Sequence, residues 1–412
     1  MPHKCRELRR RIWSRRSQIT HFAGASNGDG LAPAGSAREA GPMTTVEQHR
    51  HKRIRTGLTA WDHELAYVGF TLYAPMYGDG EMYLLDMEGN VAHEWKLPYS
   101  PGLYGYLLDN GNLLYCGQTR TRPRFIAWRH FSGGSVMEVD WNGKVVWELQ
   151  HDDHHHDARV LRNGNVLLMC LTELPEQHRH KVKGGIAGSE VGGRIYADYF
   201  VEMTTGGEEV WRWNSWEHLD FETEIITAQD FREEWTHGNT VCELPDGSLL
   251  ASFRNISTVV RIDKASGDVT WRLGPPMISQ QHDPRPASDH TITIFDNGVH
   301  RQDLPFPFSR VIEVDLNTSK IVWAYTDRSL ENFFSAYCSG AQRLPNGNTF
   351  ICETGSGRLF EVTKAGEVVW EFINPHVHNG PMPQGPNNWV FRAFRYGREE
   401  IERARAAANS GA

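Results

Sequence analysis

The sequence lacks any uninterrupted apolar run that approaches the roughly 20 residues a membrane-spanning helix needs. It also lacks a CxxC pair or any compact cysteine framework. This pattern favours free thiols in a reducing compartment, so we expect a cytoplasmic protein with no membrane partner. The six cysteines are Cys5, Cys116, Cys170, Cys242, Cys338 and Cys352.

Net positive charge is confined to the N-terminal segment. Residues 1–42 carry a net charge of +5, whereas the rest of the chain carries −13, for a formal total of −8. An acidic body argues against nucleic acid as a partner. The basic segment has no apolar core of a secretory signal, and the stretch 23–42 is rich in Gly, Ala and Ser. We expect residues 1–56 to be a disordered basic tail, with Met43 as an alternative start.

A hairpin pattern recurs six times along the chain. Each copy has alternating apolar residues, a polar turn that usually contains Gly, and a second apolar stretch ending in Trp. This alternation around a tight turn is typical of two antiparallel strands. The marker residues follow one another at steps of 52, 64, 60, 52 and 47 residues: Trp95, Trp147, Trp211, Trp271, Trp323 and Trp370.

A second pattern, Leu-x-(Asn/Asp)-Gly followed by an apolar run, alternates with the first. It occurs at 107–115, 161–169, 244–252 and 344–352, with a degenerate copy at 287–296. The two patterns together give four strands per unit. Six units predict an all-β fold, a six-bladed β-propeller with four-stranded blades, in which the repeated Trp residues pack between blades.

The propeller is expected to span residues 57–397, followed by a C-terminal tail at 398–412. The first unit has no innermost strand of its own before residues 70–75. We predict that the stretch NWVFRAFRYG at 388–397 supplies that strand and closes the ring.

The connections between strands indicate where a site would lie. If the innermost strand of each blade follows the channel, one end of the ring carries short turns and the other carries long loops. Long loops over a rigid ring commonly carry binding residues, so we expect the active site at the axial mouth under them. The long connections are 118–134, 171–198, 214–236, 297–309 and 326–336.

Aligning the innermost strands on their turns places polar residues at the same depth in successive blades. The two positions that matter are two residues apart, so their side chains are expected to face the same side of the strand. This alignment predicts a cluster at the mouth that contains His154, His156, His237, Asn239, Gln280, His282, Tyr337 and Ser339.

Arginines are expected to add positive charge to this cluster. Arg254 ends the second strand of blade four and is expected to pair across the hairpin close to His237 and Asn239. The loop 118–134 contains Arg120 and three further arginines that could attract an anion.

Several of these motifs resemble those of the arylsulfotransferase family, and the likeness spans about residues 57–397. The motifs are HHD at 155–157, HGN at 237–239, SFR at 252–254, QHD at 281–283, FDNG at 295–298, GAQRLPNGNT at 340–349 and WEFINP at 370–375. The family has a six-bladed propeller. It transfers a sulfuryl group from a phenolic sulfate ester to a phenol, without a nucleotide donor, through a transiently sulfated histidine.

The resemblance implies that His282 is the nucleophile, that the substrate is a small aromatic molecule, and that no cofactor is needed. It implies that the residues binding the sulfuryl oxygens and assisting proton transfer are His156, His237, Asn239 and Arg254. We expect the substrate to contact Gln280, Tyr337, Ser339 and Arg120 as well.

Two other interpretations remain open at the level of sequence. Four histidines converging on one axis could hold a single transition-metal or zinc ion in a lyase, oxygenase or hydrolase; these are His154, His156, His237 and His282. Alternatively, the ring could be a non-catalytic module that binds a protein or a glycan through its loops, because a fold does not determine a function.

Overall fold

The computed structural model describes residues 55–119, 133–301, 303–380 and 385–410. The expected N-terminal tail falls almost entirely outside these residues. Within them, six antiparallel sheets follow one another along the chain as the blades of a propeller, so the predicted all-β fold is confirmed. None of the described helices combines the length and apolar character needed to cross a membrane.

Each of the first three blades has four strands, ordered from the innermost outward. Blade one contains β29 (Val390–Gly397), β2 (Gly69–Pro75), β3 (Glu81–Leu85) and β4 (Val91–Lys96). Blade two contains β5 (Ser100–Leu107), β6 (Leu113–Gln118), β7 (Gly134–Val139) and β8 (Val145–Gln150). Blade three contains β9 (His154–Val160), β10 (Val166–Glu173), β12 (Tyr196–Met203) and β13 (Glu209–Asn214).

The other three blades follow the same order. Blade four contains β15 (Gly238–Glu243), β16 (Leu249–Phe253), β17 (Thr258–Ile262) and β18 (Val269–Leu273). Blade five contains β19 (His282–Pro286), β20 (Thr291–Asp296), β21 (Arg310–Asp315) and β22 (Ile321–Tyr325). Blade six contains β23 (Gly340–Arg343), β24 (Thr349–Glu353), β25 (Arg358–Val362), β26 (Val368–Ile373) and, outermost, β1 (Gly57–Trp61).

Short elements lie in the connections between these strands. Strand β11 (Gly184–Ile186) pairs in parallel with β14 (Ile226–Phe231), and β27 (His378–Asn379) pairs with β28 (Pro386–Asn387). The helices are α1 (Glu176–Arg179), α2 (Ser215–His218) and α3 (Arg398–Ser410), with 3₁₀ turns at Leu330–Asn332 and Thr354–Ser356.

Both ends of the described chain help to close the ring. Strand β29 pairs antiparallel with β2, with Leu72 opposite Phe394, which confirms that 388–397 supplies the missing innermost strand. Strand β1 pairs with β26, with Leu58 opposite Phe372, and makes blade six five-stranded. The sequence pattern did not reveal this fifth strand, because the segment GLTAW carries no turn signal.

The repeated Trp residues connect one blade to the next, as predicted. The indole N–H of Trp95 donates to the Asp140 carbonyl in the outer turn of blade two, at 3.2 Å. Trp370 completes the circle by donating to Met87 O in blade one at 2.9 Å. Equivalent bonds from Trp211, Trp271 and Trp323 reach the outer turns of the blades that follow them. Trp147 differs, since it donates to Glu138 within its own blade.

The apolar core lies between neighbouring blades. Strand β16 is buried at every position because blades cover both of its faces. Between blades three and four, Phe200 stacks on Phe253 with ring centroids 5.9 Å apart. This packing fixes the relative positions of the innermost strands, from which the site is built.

The last residues differ from the expected tail. Residues 398–410 form α3, in which Ile401 and Ala404 are buried. Ile401 belongs to the core cluster of blades one and two, and the Arg405 guanidinium lies 5.7 Å from the ring centroid of Phe70. The sequence did not predict this helix, because only a few apolar residues define its buried face and the other positions are mostly charged.

Candidate functional site

Unusual backbone conformations mark the start of the innermost strands. His156, His237 and Gln280 have φ values of +52°, +51° and +53°, and Cys338 before β23 has +58°. A non-glycine residue in this left-handed region carries backbone strain, which clusters at functional sites. The same device therefore recurs in four successive blades at the depth where sequence alignment predicted the site.

Three histidines from blades three, four and five come together there. The ring centroids of His156 and His237 are 5.1 Å apart. Burial holds the pKa of His282 well below its usual range, and the positive charge of Arg254 lowers it further. Burial likewise holds the pKa of His156 far down, with added effects from its neighbouring histidines. Near neutral pH these imidazoles are therefore uncharged.

Hydrogen bonds fix the tautomer of His282. The side-chain amide of Asn297 donates to Ser335 O at 2.9 Å and to Cys338 O at 3.0 Å, so its Oδ1 can only accept. That oxygen lies 2.8 Å from Nδ1 of His282, which must carry the proton. The lone pair of this imidazole is consequently on Nε2, which accepts a long bond from Cys338 N–H at 3.2 Å.

Asp198, His155 and His156 form a chain of side-chain contacts. Asp198 Oδ2 accepts hydrogen bonds from Gly238 N–H at 2.7 Å and from the Thr236 hydroxyl. Asp198 Oδ1 lies 3.0 Å from Nε2 of His155, and Nδ1 of His155 lies 2.7 Å from Nδ1 of His156. When Nδ1 of His156 donates in this contact, the lone pair of its neutral imidazole is on Nε2.

His237 is held by an acidic neighbour. Its Nδ1 lies 2.9 Å from Oε2 of Glu234. Burial lowers the pKa of His237 to about 4, and the charge of Arg254 contributes in the same direction. Burial raises the pKa of Glu234 well above its usual value, so the pair avoids a buried ion pair.

Arg254 brings a cation to the three imidazoles. Its backbone N–H donates to His237 O at 2.9 Å, which is the cross-hairpin pairing predicted from the sequence. Its guanidinium donates to Oδ1 of Asn255 at 3.1 Å and to Oε1 of Gln280 at 2.7 Å. Among the described residues no carboxylate lies within 4 Å of it, and its Nε is buried without a hydrogen-bond partner.

Two of the expected substrate-contacting residues lie beside Arg254. The half-exposed ring of Tyr337 has its centroid 5.1 Å from the Arg254 guanidinium carbon. Gln280 is fully buried, and its amide joins Arg254 to Asp230. Gln280 therefore holds Arg254, whereas Tyr337 offers an aromatic face at the rim.

Asn239 and Ser339 make structural contacts. The Asn239 amide donates to Gln281 O at 2.8 Å and its Oδ1 accepts from Thr240. The Ser339 hydroxyl contacts Thr354 Oγ1 at 3.2 Å. Both side chains are fully buried; Asn239 joins blades four and five, whereas the Ser339 hydroxyl bonds within blade six.

His154 is not brought to the group. Its Nδ1 accepts from Gly134 N–H at 3.2 Å, so its ring faces blade two. The left-handed backbone at His156 interrupts the alternation on which the alignment relied. Arg120 lies outside the described residues. Within the described part of the chain, no three His, Cys, Asp or Glu side chains are grouped to hold a metal ion.

An arginine that sequence reasoning missed lies next to the site. Arg392, on the closing strand β29, is fully buried, with Nη1 3.1 Å from Asp157 and Nε 3.1 Å from Asp283. It also donates to Asn239 O at 2.6 Å. These two carboxylates are the last residues of the HHD and QHD motifs, so Arg392 ties the strands carrying all three histidines to the ring closure.

Sequence reasoning also missed three residues that contact the site histidines, although one of them lies in a recognised motif. Asn297 belongs to the FDNG motif at 295–298, whose turn-like sequence hid its contact with His282. Asp198 and Glu234 lie in long connections or outer strands, where nothing in the sequence indicates that they reach a histidine.

Comparisons with known proteins extend these observations. Residues 107–375 match the family model described as arylsulfotransferase (ASST). No curated protein matches the chain. A protein of unknown function from Bacteroides caccae has a similar structure, with a TM-score of 0.50 at 12% identity over 80% of this chain and 98% of that one.

Weaker structural likenesses also occur. Kuenenia stuttgartiensis hydrazine synthase gives a TM-score of 0.44 at 14% identity, over 77% of this chain and 90% of that one. Virginiamycin B lyase from Staphylococcus aureus gives 0.41 at 10% identity, over 79% and 86%. At such identities a structural likeness concerns the fold alone. The family match, in contrast, spans more than half of the chain and includes His156, His237, Arg254 and His282, so the chain belongs to the arylsulfotransferase family.

Proposed function

We propose that the protein transfers a sulfuryl group from a phenolic sulfate ester to a phenolic acceptor through a transient sulfo-histidine at His282. The observation that carries this proposal is Arg254. A buried guanidinium with no carboxylate partner among the described residues, next to neutral imidazoles, is arranged to bind an anionic group. Membership of the arylsulfotransferase family supports the same class of reaction.

In the first half-reaction, Nε2 of His282 attacks sulfur while the bond from sulfur to the aryl oxygen breaks. The tautomer imposed by Asn297 supports this role, because it places the lone pair on Nε2. Attack requires exchange of the 3.2 Å bond from Cys338 N–H. Arg254 would hold the negative oxygens of the sulfuryl group as they move.

The chain Asp198–His155–His156 is suited to move the proton. A proton that Nε2 of His156 takes from the acceptor phenol in one turnover can pass from the same atom to the departing aryloxide in the next, so the proton balances over the cycle. Without that proton, Nε2 of His156 can accept the proton of the incoming phenol. The acceptor oxygen then attacks the sulfo-histidine and regenerates His282.

Turnover of a chromogenic aryl sulfate tests the proposal. We expect release of the chromophore to depend on an added phenol and to follow ping-pong kinetics, and we expect His282→Ala to abolish it. The control is His290→Ala, an exposed histidine of the same blade. Full activity in His282→Ala, or stoichiometric metal with activity lost to a chelator, would contradict the proposal.

A further inference from the structure

Arg254 differs from the other buried arginines of the described chain. Arg159, Arg358, Arg392 and Arg395 each lie within 4 Å of a carboxylate, at 3.4, 2.5, 3.1 and 3.4 Å. Arg254 is nine-tenths buried, yet two amide oxygens, from Asn255 and Gln280, take the place of a carboxylate. Amide oxygens satisfy N–H groups without cancelling the charge.

A carboxylate does lie nearby, on the far side of Gln280. The amide nitrogen of Gln280 donates to Oδ2 of Asp230, while its amide oxygen accepts from Arg254. Because the arginine can only donate and the carboxylate accepts, these two neighbours allow one orientation of the amide. Gln280 therefore transmits hydrogen bonds between the two charged groups and keeps them from forming an ion pair.

The backbone holds Gln280 firmly in this place. Its N–H donates to the Ser257 hydroxyl at 3.0 Å, and its strained φ of +53° sets the direction of the side chain. Asp230 has a second neighbour, since its Oδ2 lies 3.4 Å from Nδ1 of His300. Contacts to Gln280 and to Asp230 thus both help to keep Arg254 and Asp230 apart.

Neighbouring cations do not add to the charge offered at this point. Arg392 forms ion pairs with Asp157 and Asp283. His237 and His282 are neutral near pH 7, because their buried imidazoles resist protonation. Among the buried arginines of the described chain, Arg254 is therefore the one that no carboxylate contacts directly.

We propose that Gln280 is a specificity-determining spacer that keeps Arg254 uncompensated, so that the site takes monoanionic sulfate esters in preference to dianionic phosphate esters. This inference rests on the proposed function for its choice of ligand. A sulfate monoester carries one negative charge and matches the single cation. A phosphate monoester, whose second pKa is about 6, brings a second charge at neutral pH that would remain buried without a partner.

Binding measurements on the full-length protein test the proposal without requiring turnover. Isothermal titration at about pH 7.5 would compare phenyl sulfate with phenyl phosphate on wild-type protein, Gln280→Glu and Gln342→Glu. The first variant places a carboxylate against Arg254 with almost no change in size. The second makes the same change in blade six, where Gln342 contacts the Arg395 backbone and not the mouth.

We expect wild-type protein to bind phenyl sulfate at least about tenfold more tightly than phenyl phosphate. We expect Gln280→Glu to bind phenyl sulfate at least about tenfold more weakly, whereas Gln342→Glu binds like wild type. Equal affinity for the two esters, no binding of either, or unchanged affinity in a folded Gln280→Glu would overturn the inference.

Two safeguards keep the test decisive. If Gln280→Glu does not fold, as judged by circular dichroism, the ester preference of the wild-type protein still decides the matter. If the expected preference is found but no sulfuryl group reaches a phenol, the proposed function fails while the inference about Gln280 stands.

Discussion

Nδ1 of His282 lies 2.8 Å from Oδ1 of Asn297, an amide that two backbone carbonyls hold in a single orientation. We predict that Asn297→Ala lowers kcat by about tenfold or more, because the tautomer with a free Nε2 is no longer imposed. The free energy of unfolding should fall by about 1–3 kcal/mol, since Ser335 O and Cys338 O lose their donors. Steady-state kinetics and urea unfolding would measure the two effects.

The matched control for this prediction is Asn348→Ala. Asn348 is a buried amide that donates to Leu65 O and to Glu361, away from the histidines. It should lose similar stability and keep its kcat. An equal loss of kcat in both variants would indicate that Asn297 only stabilises the fold.

The proton chain behind His156 makes a second prediction. Asp198→Asn should lower kcat by about 10²-fold, because the chain behind His156 loses the negative charge that favours uptake of a proton at His156. The loss should be larger for phenyl sulfate than for 4-nitrophenyl sulfate, whose leaving group needs no proton. Initial rates with both donors would show the difference.

Asp153→Asn is the control for the proton chain. Asp153 is also a buried carboxylate of blade three, and it accepts the Tyr199 hydroxyl at 2.9 Å. We expect it to show no dependence on the leaving group. A loss in Asp198→Asn that is the same for both donors would indicate that Asp198 only supports the fold.

The histidines also make stability depend on pH. Burial lowers the pKa of His237 from 6.5 to about 4 and that of His154 to about 3. Between these values and 6.5 the unfolded chain binds more protons than the folded one. The free energy of unfolding therefore has its full value above pH 6.5. It decreases as the pH falls from 6.5 to the folded-state pKa values.

Urea unfolding at about pH 7.5 and about pH 5 would measure this dependence. The wild-type protein should be less stable at the lower pH, and His237→Gln should show a smaller difference between the two conditions. An identical difference in both proteins would mean that His237 is not held neutral by the fold.

Arg392 links the ring closure to the site, and its removal should be costly. In Arg392→Met, Asp157 and Asp283 lose a buried cation, so we expect a loss of about 3–5 kcal/mol in the free energy of unfolding. Arg403→Met, an exposed position on α3, should change the stability by less than about 0.5 kcal/mol. Equal stability of the two variants would contradict the assigned role.

The sequence was informative wherever a local pattern repeats. The Trp-marked hairpins and the Asn/Asp-Gly turns predicted six blades, and the unpartnered first unit predicted that 388–397 closes the ring. Aligned turns placed His156 and His282 at one position and His237 two residues away on the same side of the strand, and the structure brings the three into one group. These features depend on strand periodicity, which a single sequence displays.

What the sequence concealed depends on contacts between distant segments. The alternation rule failed at His154, because the left-handed residue at His156 changes the direction of the side chains. Asn297, Asp198 and Arg392 reach the histidines only once separate strands are assembled, so no local pattern signals them. The fifth strand of blade six was hidden for a similar reason, since β1 pairs with residues more than 300 positions away.

Mass spectrometry of the quenched protein tests the central claim most directly. After brief exposure to an aryl sulfate with no acceptor, digestion should yield a labile sulfuryl adduct on the peptide that contains His282, and a phenol added before the quench should remove it. An adduct confined to another residue, or full turnover through an enzyme that never carries the group, would contradict a sulfo-histidine at His282.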